Sequence, residues 1–243
     1  MGSKKVEIWS HQGKVVPLSP GNRLADFEDA VEECADGVET DVGFVKVGSD
    51  KEIFIYHPGQ RFSALRLGEF VEFLKKHPRL ECFLDIKQND LQLVKTAIKS
   101  IVDNRLQNRV YFTFCQVRLP WLGLETSGKL LLQAKLFEPR IKTHLMATFP
   151  FSLPRLVEKY HPDFISFGWL EDWLSRFFFK GIIIPFFNFP KQIRETQKMG
   201  VRVLAGIFNR EEDIRYFADM GIDAIMTENI GAAFKILEKP KAP

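Results

Sequence analysis

The sequence predicts an α/β protein in which eight parallel strands close into a (β/α)8 TIM barrel, with a β-hairpin after the second strand. The chain has 243 residues, close to the roughly 250 that are typical of this fold. Strand-like and helix-like segments alternate along the chain, which is the pattern of a parallel sheet covered by helices. Eight strand–helix pairs can be counted when the returning arm of the hairpin is set aside. We therefore expect residues 1–243 to form a single barrel domain.

Short apolar runs predict the barrel strands, because parallel strands are buried on both faces. In chain order they are VEIWSH (6–11), GVETDV (37–42), ECFLDIK (81–87), RVYFTF (109–114), KLLLQAKL (129–136), DFISFG (163–168), VRVLAGIF (201–208) and DAIMTEN (223–229). After the second strand, VGSDKE reads as a turn, so EIFIYH folds back antiparallel as the second arm of a hairpin. Apolar spacing of three or four residues predicts helices at 23–34, 65–77, 91–105, 151–160, 190–200, 211–221 and 231–239.

Polar residues follow the first three predicted barrel strands at their carboxyl ends. His11 ends the first strand, Glu39 and Asp41 end the second, and Asp85 and Lys87 end the third. Strand residues two positions apart point to the same face, so each of the last two pairs shares a face. Active sites of barrel enzymes lie at this end of the strands. We therefore expect these five side chains to meet in one place.

The hairpin returns a second histidine to the same end. Counting pairs back from the predicted turn sets His57 opposite Asp41 or Val42, with an error of about one residue. Neighbouring carboxylates stay ionised together only when a cation compensates them. Oxygen ligands without cysteine suit Mg²⁺ or Ca²⁺, and Mn²⁺ as well. Paired histidines suit proton transfer, and a lysine beside the metal suits an anionic substrate, a combination that matches phosphoryl transfer.

Composition narrows the partners and the compartment. The formal net charge is +3 and the isoelectric point about 8.7, too weakly basic to indicate nucleic acid but compatible with an anionic substrate or a membrane surface. The three cysteines, Cys34, Cys82 and Cys115, lie in apolar surroundings and are expected to be buried free thiols. The first residues carry no apolar signal-peptide core. We expect a cytoplasmic protein, with peripheral membrane contact as an option.

Five motifs in order resemble the glycerophosphodiester phosphodiesterase family, part of the phospholipase C-like phosphodiesterases. The matching stretches are SHQG, SPGNRLADFEDAVEECADGVETDV, YHP, LDIK and FNREEDIRYFADMGIDAIMTEN, while residues 115–200 match no motif. The resemblance implies the barrel fold with the same hairpin. It also implies a metal held by Glu39, Asp41 and Asp85, an acid–base pair of His11 and His57, and a phosphate contact from Lys87.

Several positions depart from the family pattern. The arginine after the first histidine is Gln12, so a phosphate-binding cation is missing, and the aromatic residue of the seventh strand is Gly206, which is expected to open a wall of the pocket. Thr-Asp near the end is Thr227-Glu228. The chain is also similar to the lysophospholipase D-like and sphingomyelinase D-like relatives, some of which lack that arginine. These departures favour an open site and a lysophospholipid or glycerophosphodiester substrate.

An aromatic segment, residues 167–190, follows the sixth predicted strand on the same rim. It is too short and too interrupted by Lys180 and Pro185 to span a membrane. Trp169, Trp173 and the phenylalanines around them are expected either to form an apolar patch for a bilayer or an acyl chain, or to pack as core. Both options stay open at this point.

Three alternatives to a phosphodiesterase barrel remain. An open, doubly wound sheet would also alternate strands and helices, but no Gly-rich phosphate loop follows the first strand. A barrel that binds a phosphate-bearing ligand or a membrane without cutting would explain the missing arginine. A barrel for sugar or nucleotide phosphates is disfavoured, because VRVLAGIFNREED has no Gly-rich loop.

Overall fold

The computed structural model describes residues 5–57, 65–122, 124–168 and 173–238. In this part of the chain one sheet contains eight parallel strands and a ninth strand that forms the return arm of a hairpin. The strands are β1 (Glu7–Ser10), β2 (Gly37–Val47), β3 (Asp50–Ile55), β4 (Glu81–Ile86), β5 (Val110–Cys115), β6 (Lys142–Met146), β7 (Phe164–Phe167), β8 (Arg202–Ala205) and β9 (Ala224–Thr227). Strand β1 pairs with both β2 and β9, which closes the barrel and confirms the predicted fold class.

Helices cover the outside of the barrel and follow the strands in sequence. They are α1 (Leu24–Glu32), α2 (Leu67–Lys76), α3 (Leu91–Asp103), α4 (Gly128–Phe137), α5 (Leu153–Tyr160), α6 (Trp173–Phe178), α7 (Ile184–Phe186), α8 (Phe189–Lys198), α9 (Glu211–Asp219) and α10 (Ile230–Glu238). A π-helical turn, Phe179–Ile183, joins α6 to α7. None of the described helices is long and apolar enough to cross a membrane.

The segment KLLLQAKL was predicted as a strand, and this prediction is wrong. It forms most of α4, and the fifth barrel strand is instead β6. Leucine, alanine, glutamine and lysine all favour a helix, and the segment has no β-branched residue. The true strand, KTHLM, escapes detection because it is short and carries polar residues. The predicted number of eight barrel strands is still correct, because the wrongly assigned KLLLQAKL and the missed KTHLM cancel in the count.

Two apolar layers hold the barrel together. The larger layer lies between the strands and the helices. For example, α2 turns Phe70, Phe73 and Leu74 toward the barrel, and each is at most 2% exposed. The smaller layer fills the barrel interior, where Trp9 stacks on Phe83 with ring centroids 4.0 Å apart. Burial of such large apolar side chains is the main term that stabilises the fold.

A charged network closes the amino-terminal end of the barrel. Arg202, the first residue of β8, pairs with Glu7 at 2.8 Å and with Glu81 at 2.5 Å, the first residues of β1 and β4. The Tyr111 hydroxyl donates to Glu81 at 2.9 Å, and the Lys142 ammonium donates to that hydroxyl at 3.1 Å. We call these five residues the lower network. Its two cations and two carboxylates balance one another.

The cysteine prediction holds for two of the three residues. Cys82 and Cys115 are buried free thiols, in β4 and at the end of β5. Cys34 is also free, but it is exposed, and the prediction that it is buried is wrong. Cys34 lies just beyond α1 with a φ of 60°, outside the regular turns whose apolar face packs on the barrel.

Candidate active site

The carboxyl ends of β1, β2 and β4 bring five predicted site residues together. The parallel register pairs Asp41 of β2 directly with Asp85 of β4. Glu39 lies two residues before Asp41 and shares its face. His11 follows the last residue of β1, and Lys87 follows the last residue of β4. The strand alignment of the barrel therefore produces the cluster that the sequence pattern indicated.

Three carboxylates form the centre of this site. Glu39, Asp41 and Asp85 each offer one carboxylate oxygen, and these atoms lie within 4.8 Å of one another. The three residues are between 1% and 5% exposed. We call them the acidic cluster. Buried carboxylate oxygens at this spacing are the donors that hard divalent cations such as Mg²⁺ and Ca²⁺ prefer, so the donor set fits such an ion.

Lys87 is the cation that faces the acidic cluster. Its Nζ lies 2.8 Å from Asp41 Oδ1 and 2.5 Å from Asp85 Oδ2. Burial by itself would lower the pKa of Lys87, but the charges of Asp41, Asp85 and Glu39 outweigh burial and raise this pKa well above its usual range. Lys87 therefore stays charged. Three carboxylates against one ammonium still leave two negative charges, which a divalent cation would balance.

The pKa values of the carboxyl groups reflect this excess of negative charge. Burial first, and then the charge of Asp41, raise the pKa of Glu39 well above its usual range. Burial also raises the pKa of Asp85, against the opposing charge of Lys87. For Asp41 the charge and hydrogen bond of Lys87 outweigh burial, and its pKa is lowered. A second cation is needed to keep all three groups ionised together.

Two amide side chains hold Asp41 from the side of β1. Gln12 Nε2 donates to Asp41 Oδ2 at 2.7 Å, and Asn22 Nδ2 donates to the same oxygen at 2.9 Å. Thr40 Oγ1 donates to Asn22 Oδ1 at 2.8 Å, which fixes the orientation of that amide. The backbone N–H of Gln12 donates to Glu39 at 3.1 Å. Gln12, which stands where the family pattern has an arginine, thus holds two members of the acidic cluster, Glu39 and Asp41, by hydrogen bonds.

Glu228 orients His11. Its Oε1 lies 2.9 Å from His11 Nδ1 and 2.8 Å from Lys14 Nζ. Burial would raise the pKa of Glu228, but hydrogen bonds from His11 and Lys14 outweigh it and lower this pKa to about 2. An ionised carboxylate only accepts hydrogen bonds, so His11 Nδ1 carries the proton. His11 Nε2, which lies 3.7 Å from Glu39 Oε2, is therefore the nitrogen turned toward the acidic cluster.

The hairpin brings His57 to the same pocket, in a register that lies within the predicted error of about one residue. Val42 pairs with Ile55, which sets His57 opposite Thr40 and one residue beyond the predicted partner. The difference arises because the turn contains only Gly48 and Ser49, and β2 and β3 extend to either side of them. Even so, His57 lines the pocket together with His11.

The site opens into a cavity of about 450 Å³ at the carboxyl end of the barrel. One wall carries His11, Glu39, His57, Asp85 and Lys87. The rest of the cavity is lined mainly by apolar or neutral side chains, which include Leu122, Leu124, Met146, Ala147, Phe167, Leu204, Ile207 and Met226. The cavity therefore has one charged wall, and the rest of its lining is uncharged: apolar side chains together with the polar Thr113, His144, Thr148 and Ser166.

Of the three other residues predicted for the pocket wall, only Gly206 can be described there. Gly206 lines the cavity, but a Cβ atom at this position would lie 2.7 Å from the Cβ atom of Met226. The space beside Gly206 is thus filled by β9, and no larger side chain fits without movement of Met226. Trp169 lies outside the described residues. Trp173 is the first residue of α6.

The aromatic segment divides between the two predicted options. Phe189 is fully buried, whereas Phe177, Phe178 and Phe186 are between 52% and 79% exposed. The Phe187 ring contacts Phe186 and Phe151, at centroid distances of 5.0 and 4.9 Å, and Phe151 contacts Phe149 at 6.0 Å. We call Phe149, Phe151, Phe186 and Phe187 the aromatic rim. It begins one residue after Thr148, which lines the cavity.

Sequence reasoning missed several polar residues of the site. Lys14 was not considered, and Glu228 was treated only as a departure from the family pattern. His144, which lies in β6 and lines the cavity, was not among the predicted site residues. The position of Lys14 could have indicated it, because Lys14 lies in the loop after the first strand, and such loops carry the site residues of barrel enzymes. Nothing in the local sequence pairs it with Glu228.

Comparison with known proteins supports the fold. No family model and no curated protein matches the chain in sequence. Solved structures match it over nearly the whole length. A glycerophosphodiester phosphodiesterase from Parabacteroides distasonis superposes with a TM-score of 0.73 at 14% identity, over 97% of this chain and 98% of that one. The predicted resemblance is confirmed at the level of the fold.

Two further solved structures give the same result. A glycerophosphodiester phosphodiesterase from Agrobacterium tumefaciens matches with a TM-score of 0.67 at 15% identity, over 94% of this chain and 99% of that one. A phosphodiesterase from Oleispira antarctica, solved in complex with the product sn-glycerol-3-phosphate, matches with a TM-score of 0.68 at 15% identity. That match covers 97% of this chain and 98% of the other.

Proposed function

We propose that this protein is a metal-dependent phosphodiesterase that hydrolyses glycerophosphodiesters or the headgroups of lysophospholipids. One observation carries the proposal: a buried acidic cluster, two histidines and a lysine converge at the carboxyl end of a barrel. Glycerophosphodiester phosphodiesterases with the same fold support it. The product in the Oleispira antarctica structure supports a small phosphate ester as ligand.

Glu39, Asp41 and Asp85 are the residues that would hold the metal, as Mg²⁺ or Ca²⁺. Their spacing within 4.8 Å, and the need for a second cation if all three carboxylates are to stay ionised, support this assignment. A bound divalent cation supplies Lewis acidity, which polarises a phosphoryl oxygen and offsets the charge that develops on it. Gln12 and Asn22 keep Asp41 in position for this role through their amide hydrogen bonds.

His11 and His57 are the proposed acid–base pair. One of them takes a proton from the attacking hydroxyl as its oxygen bonds to phosphorus, and the other gives a proton to the leaving alcohol oxygen as its bond to phosphorus breaks. For His11 the reacting atom is Nε2, because Glu228 holds the proton on Nδ1. Lys87 stays charged beside the pocket and is the proposed phosphate contact.

The shape of the cavity supports an amphiphilic substrate. Its charged wall suits the phosphodiester, and its apolar lining suits carbon chains. The aromatic rim adds exposed apolar surface next to the mouth, with Phe186 79% exposed. We therefore propose that lysophospholipids are taken from a lipid surface that the rim contacts, which would make the protein peripheral at a membrane.

Choline release tests the activity. The purified protein is incubated with lysophosphatidylcholine and with glycerophosphocholine, each in Mg²⁺, Ca²⁺ or EDTA, and the product is followed by phosphorus NMR. We expect release that requires metal and is lost in the Glu39→Gln variant. Glu52→Gln, in the exposed part of the hairpin where Glu52 pairs with Arg66, is the matched control. Turnover in EDTA or in Glu39→Gln would overturn the metal assignment.

A barrel that binds without cutting is the second candidate, favoured by one observation. Gln12 stands where the family has an arginine. Its side chain donates a hydrogen bond to Asp41, and as a neutral amide it offers no positive charge to a phosphate. In that case the protein would bind metal and phosphate esters, but neither choline ester would turn over. Isothermal titration with Mg²⁺ and with glycerol 3-phosphate separates this outcome from a protein that binds neither.

Vesicle sedimentation tests the lipid surface. Wild-type protein is expected to sediment with lysophosphatidylcholine-containing vesicles, and Phe186→Ser is expected to reduce the bound fraction several-fold. Leu136→Ser is the control, because Leu136 is 83% exposed but lies in the last turn of α4, at the opposite end of the barrel. Equal binding of both variants would contradict a role for the aromatic rim.

A further inference from the structure

The wall of the cavity that faces the acidic cluster carries polar side chains that the proposed reaction does not use. The cluster lies on β2 and β4, and His11 follows β1. Around the eight barrel strands, β6 lies opposite β1 and β7 lies opposite β2. His144 of β6 and Ser166 of β7 line the cavity from there, together with Thr148 just beyond β6.

His144 is fixed in place by two contacts, a stacked ring and a hydrogen bond. It is 2% exposed, and its ring stacks on Phe83 with centroids 4.1 Å apart and an interplanar angle of 17°. Its Nδ1 lies 2.9 Å from Thr113 Oγ1, and the register pairs these two residues directly. The ring is therefore held rigidly, with its plane set by stacking and one nitrogen set by a hydrogen bond.

The other ring nitrogen of His144, Nε2, differs from Nδ1 in its hydrogen bonding. Within the described residues, His144 Nε2 is buried and makes no hydrogen bond, and the same is true of Thr148 Oγ1. A buried polar group without a partner costs about 1–3 kcal/mol, and the large majority of such groups in proteins are satisfied. Two such atoms on residues that line one cavity are available to hydrogen-bond a group bound there.

The chemistry of this wall selects a neutral ligand group. Burial lowers the pKa of His144 to about 3, so the ring is uncharged at physiological pH. Thr113, Thr148 and Ser166 are also uncharged and line the same cavity. A second phosphate would need a cation here, and a cationic headgroup would need a carboxylate or an open aromatic face. A hydroxyl group, which both donates and accepts, matches a neutral imidazole and a threonine hydroxyl.

From this geometry we infer that His144 and Thr148 form a subsite for a free hydroxyl group on the alcohol part of the phosphodiester. The inference rests on the proposed function, because it takes the phosphate to lie at the Lys87 wall of the same cavity. It deepens that function by naming a required substrate feature. Glycerophosphodiesters and 1-acyl lysophospholipids carry such a hydroxyl on the central glycerol carbon, whereas diacyl phospholipids do not.

The subsite gives discrimination by a physical mechanism. A site built to hydrogen-bond a hydroxyl rejects an analogue that lacks it, because its own buried polar groups are then left unpaired. Wild-type protein is therefore expected to prefer lysophosphatidylcholine over its deoxy analogue, an acyloxypropyl phosphocholine, by about tenfold to hundredfold in kcat/KM. In His144→Phe, which keeps the ring stacked on Phe83 but removes both nitrogens, this ratio is expected to fall close to one.

His77→Gln is the matched control, since His77 lies at the surface end of α2 beside Glu28. It is expected to keep the wild-type ratio. His144→Gln is expected to restore part of the preference, because its amide can reach the position of Nε2. If His144→Phe does not fold, Thr113→Val is added to it, which removes the hydroxyl left unpaired. An unchanged ratio in a folded His144→Phe variant would overturn the inference.

Nitrogen NMR of wild-type protein gives a test without variants or turnover. The chain has only five histidines, so labelled rings can be assigned singly. Glycerol 3-phosphate and n-propyl phosphate are the two probes. Both probes are expected to shift the ring-nitrogen resonances of His11 and His57. Only glycerol 3-phosphate is expected to shift the Nε2 resonance of His144.

The outcomes separate the two proposals. Shifts of His11 and His57 with both probes, but no selective shift of His144, would overturn the hydroxyl subsite and leave the phosphate site standing. No shift of any of the three rings at saturating probe would overturn the proposed function, and the subsite with it. A selective shift of His144 supports both.

Discussion

The two ends of the barrel carry charged clusters of similar size but opposite character. In the lower network, Arg202 and Lys142 face Glu7 and Glu81, so the charges balance, and Arg202, Glu7 and Glu81 are between 24% and 30% exposed. At the other, carboxyl end of the barrel, which we call the upper site, Lys87 faces the three buried carboxylates of the acidic cluster. The lower network is therefore complete by itself. At the carboxyl end the carboxylates outnumber the facing cation, and this imbalance is what supports the proposed metal site there.

The comparison also separates what each cluster does for the protein. Partly exposed ion pairs with balanced charges stabilise a fold modestly and need no additional ligand to compensate them. Buried like charges destabilise the protein until a ligand compensates them. Substitutions at the upper end should therefore affect metal binding and turnover more than stability. Those at the lower end should do the reverse.

Asp85→Asn is expected to have the largest effect. Removal of one carboxylate should lower kcat/KM by a factor on the order of 10³ and weaken Mg²⁺ binding strongly, because the donor set loses a charged ligand. In EDTA the variant should unfold at the same temperature as wild type or higher, since one uncompensated buried charge is gone. Asp50→Asn, at the hairpin turn, is the control. A variant that is less stable in EDTA but fully active would reverse the comparison.

Arg202→Met should show the opposite behaviour. It leaves Glu7 and Glu81 without their main partner, and we expect the free energy of unfolding to fall by about 1–3 kcal/mol. Metal affinity should stay within about twofold of wild type. Urea denaturation and Mg²⁺ titration measure the two quantities. Arg140→Met, which removes an exposed arginine paired with Glu138, should leave the free energy of unfolding nearly unchanged, because solvent screens an exposed pair.

Glu228→Gln tests the support that His11 receives. Because Glu228 holds the proton on His11 Nδ1, its loss should lower kcat by about tenfold to hundredfold while Mg²⁺ binding is kept. Steady-state kinetics with glycerophosphocholine measure the effect. The control is Glu211→Gln, in which an exposed pair with Arg215 is lost. If kcat is unchanged in Glu228→Gln, another group sets the tautomer of His11.

His144 lies between the two ends and gives the smallest expected effect. Its pKa is about 3 in the folded protein and about 6.5 when unfolded. Between these values the unfolded state binds more protons, so stability falls as the pH falls through this range. From pH 6 to pH 5 wild type should lose up to about 1.4 kcal/mol more than His144→Phe. Parallel stability curves for the two proteins would contradict a buried neutral ring.

Much of the fold and half of the site could be predicted from local patterns. Alternating apolar strands and amphipathic helices indicate a parallel barrel, and strand ends carry its functional residues. Glu39 and Asp41 are two residues apart on one strand, so their shared face follows from geometry alone. The pairing of Asp41 with Asp85 then follows from the parallel alignment of neighbouring strands.

Other features depended on contacts between distant residues. KLLLQAKL was taken for a strand because its apolar content outweighed its helix-forming residues, and the polar strand KTHLM was overlooked. The register of the hairpin could be predicted only to within about one residue, because it depends on the length of the turn. The exposure of Cys34 depended on where α1 ends. Each error arose where packing or turn geometry overrode a local preference.

By itself the sequence determined the barrel, its hairpin and the carboxylates, histidines and lysine that its strands carry to one end. Periodicity and position at a strand end depend on residues that are close together in the sequence, so both can be recognised without the structure. Only the tertiary structure decided that Glu228 orients His11 and that Lys87 bridges two carboxylates. It also decided that the second ring nitrogen of His144 makes no hydrogen bond to any residue in the described part of the chain. These contacts join residues on different strands, and their spacing is set by closure of the barrel and not by their distance along the chain.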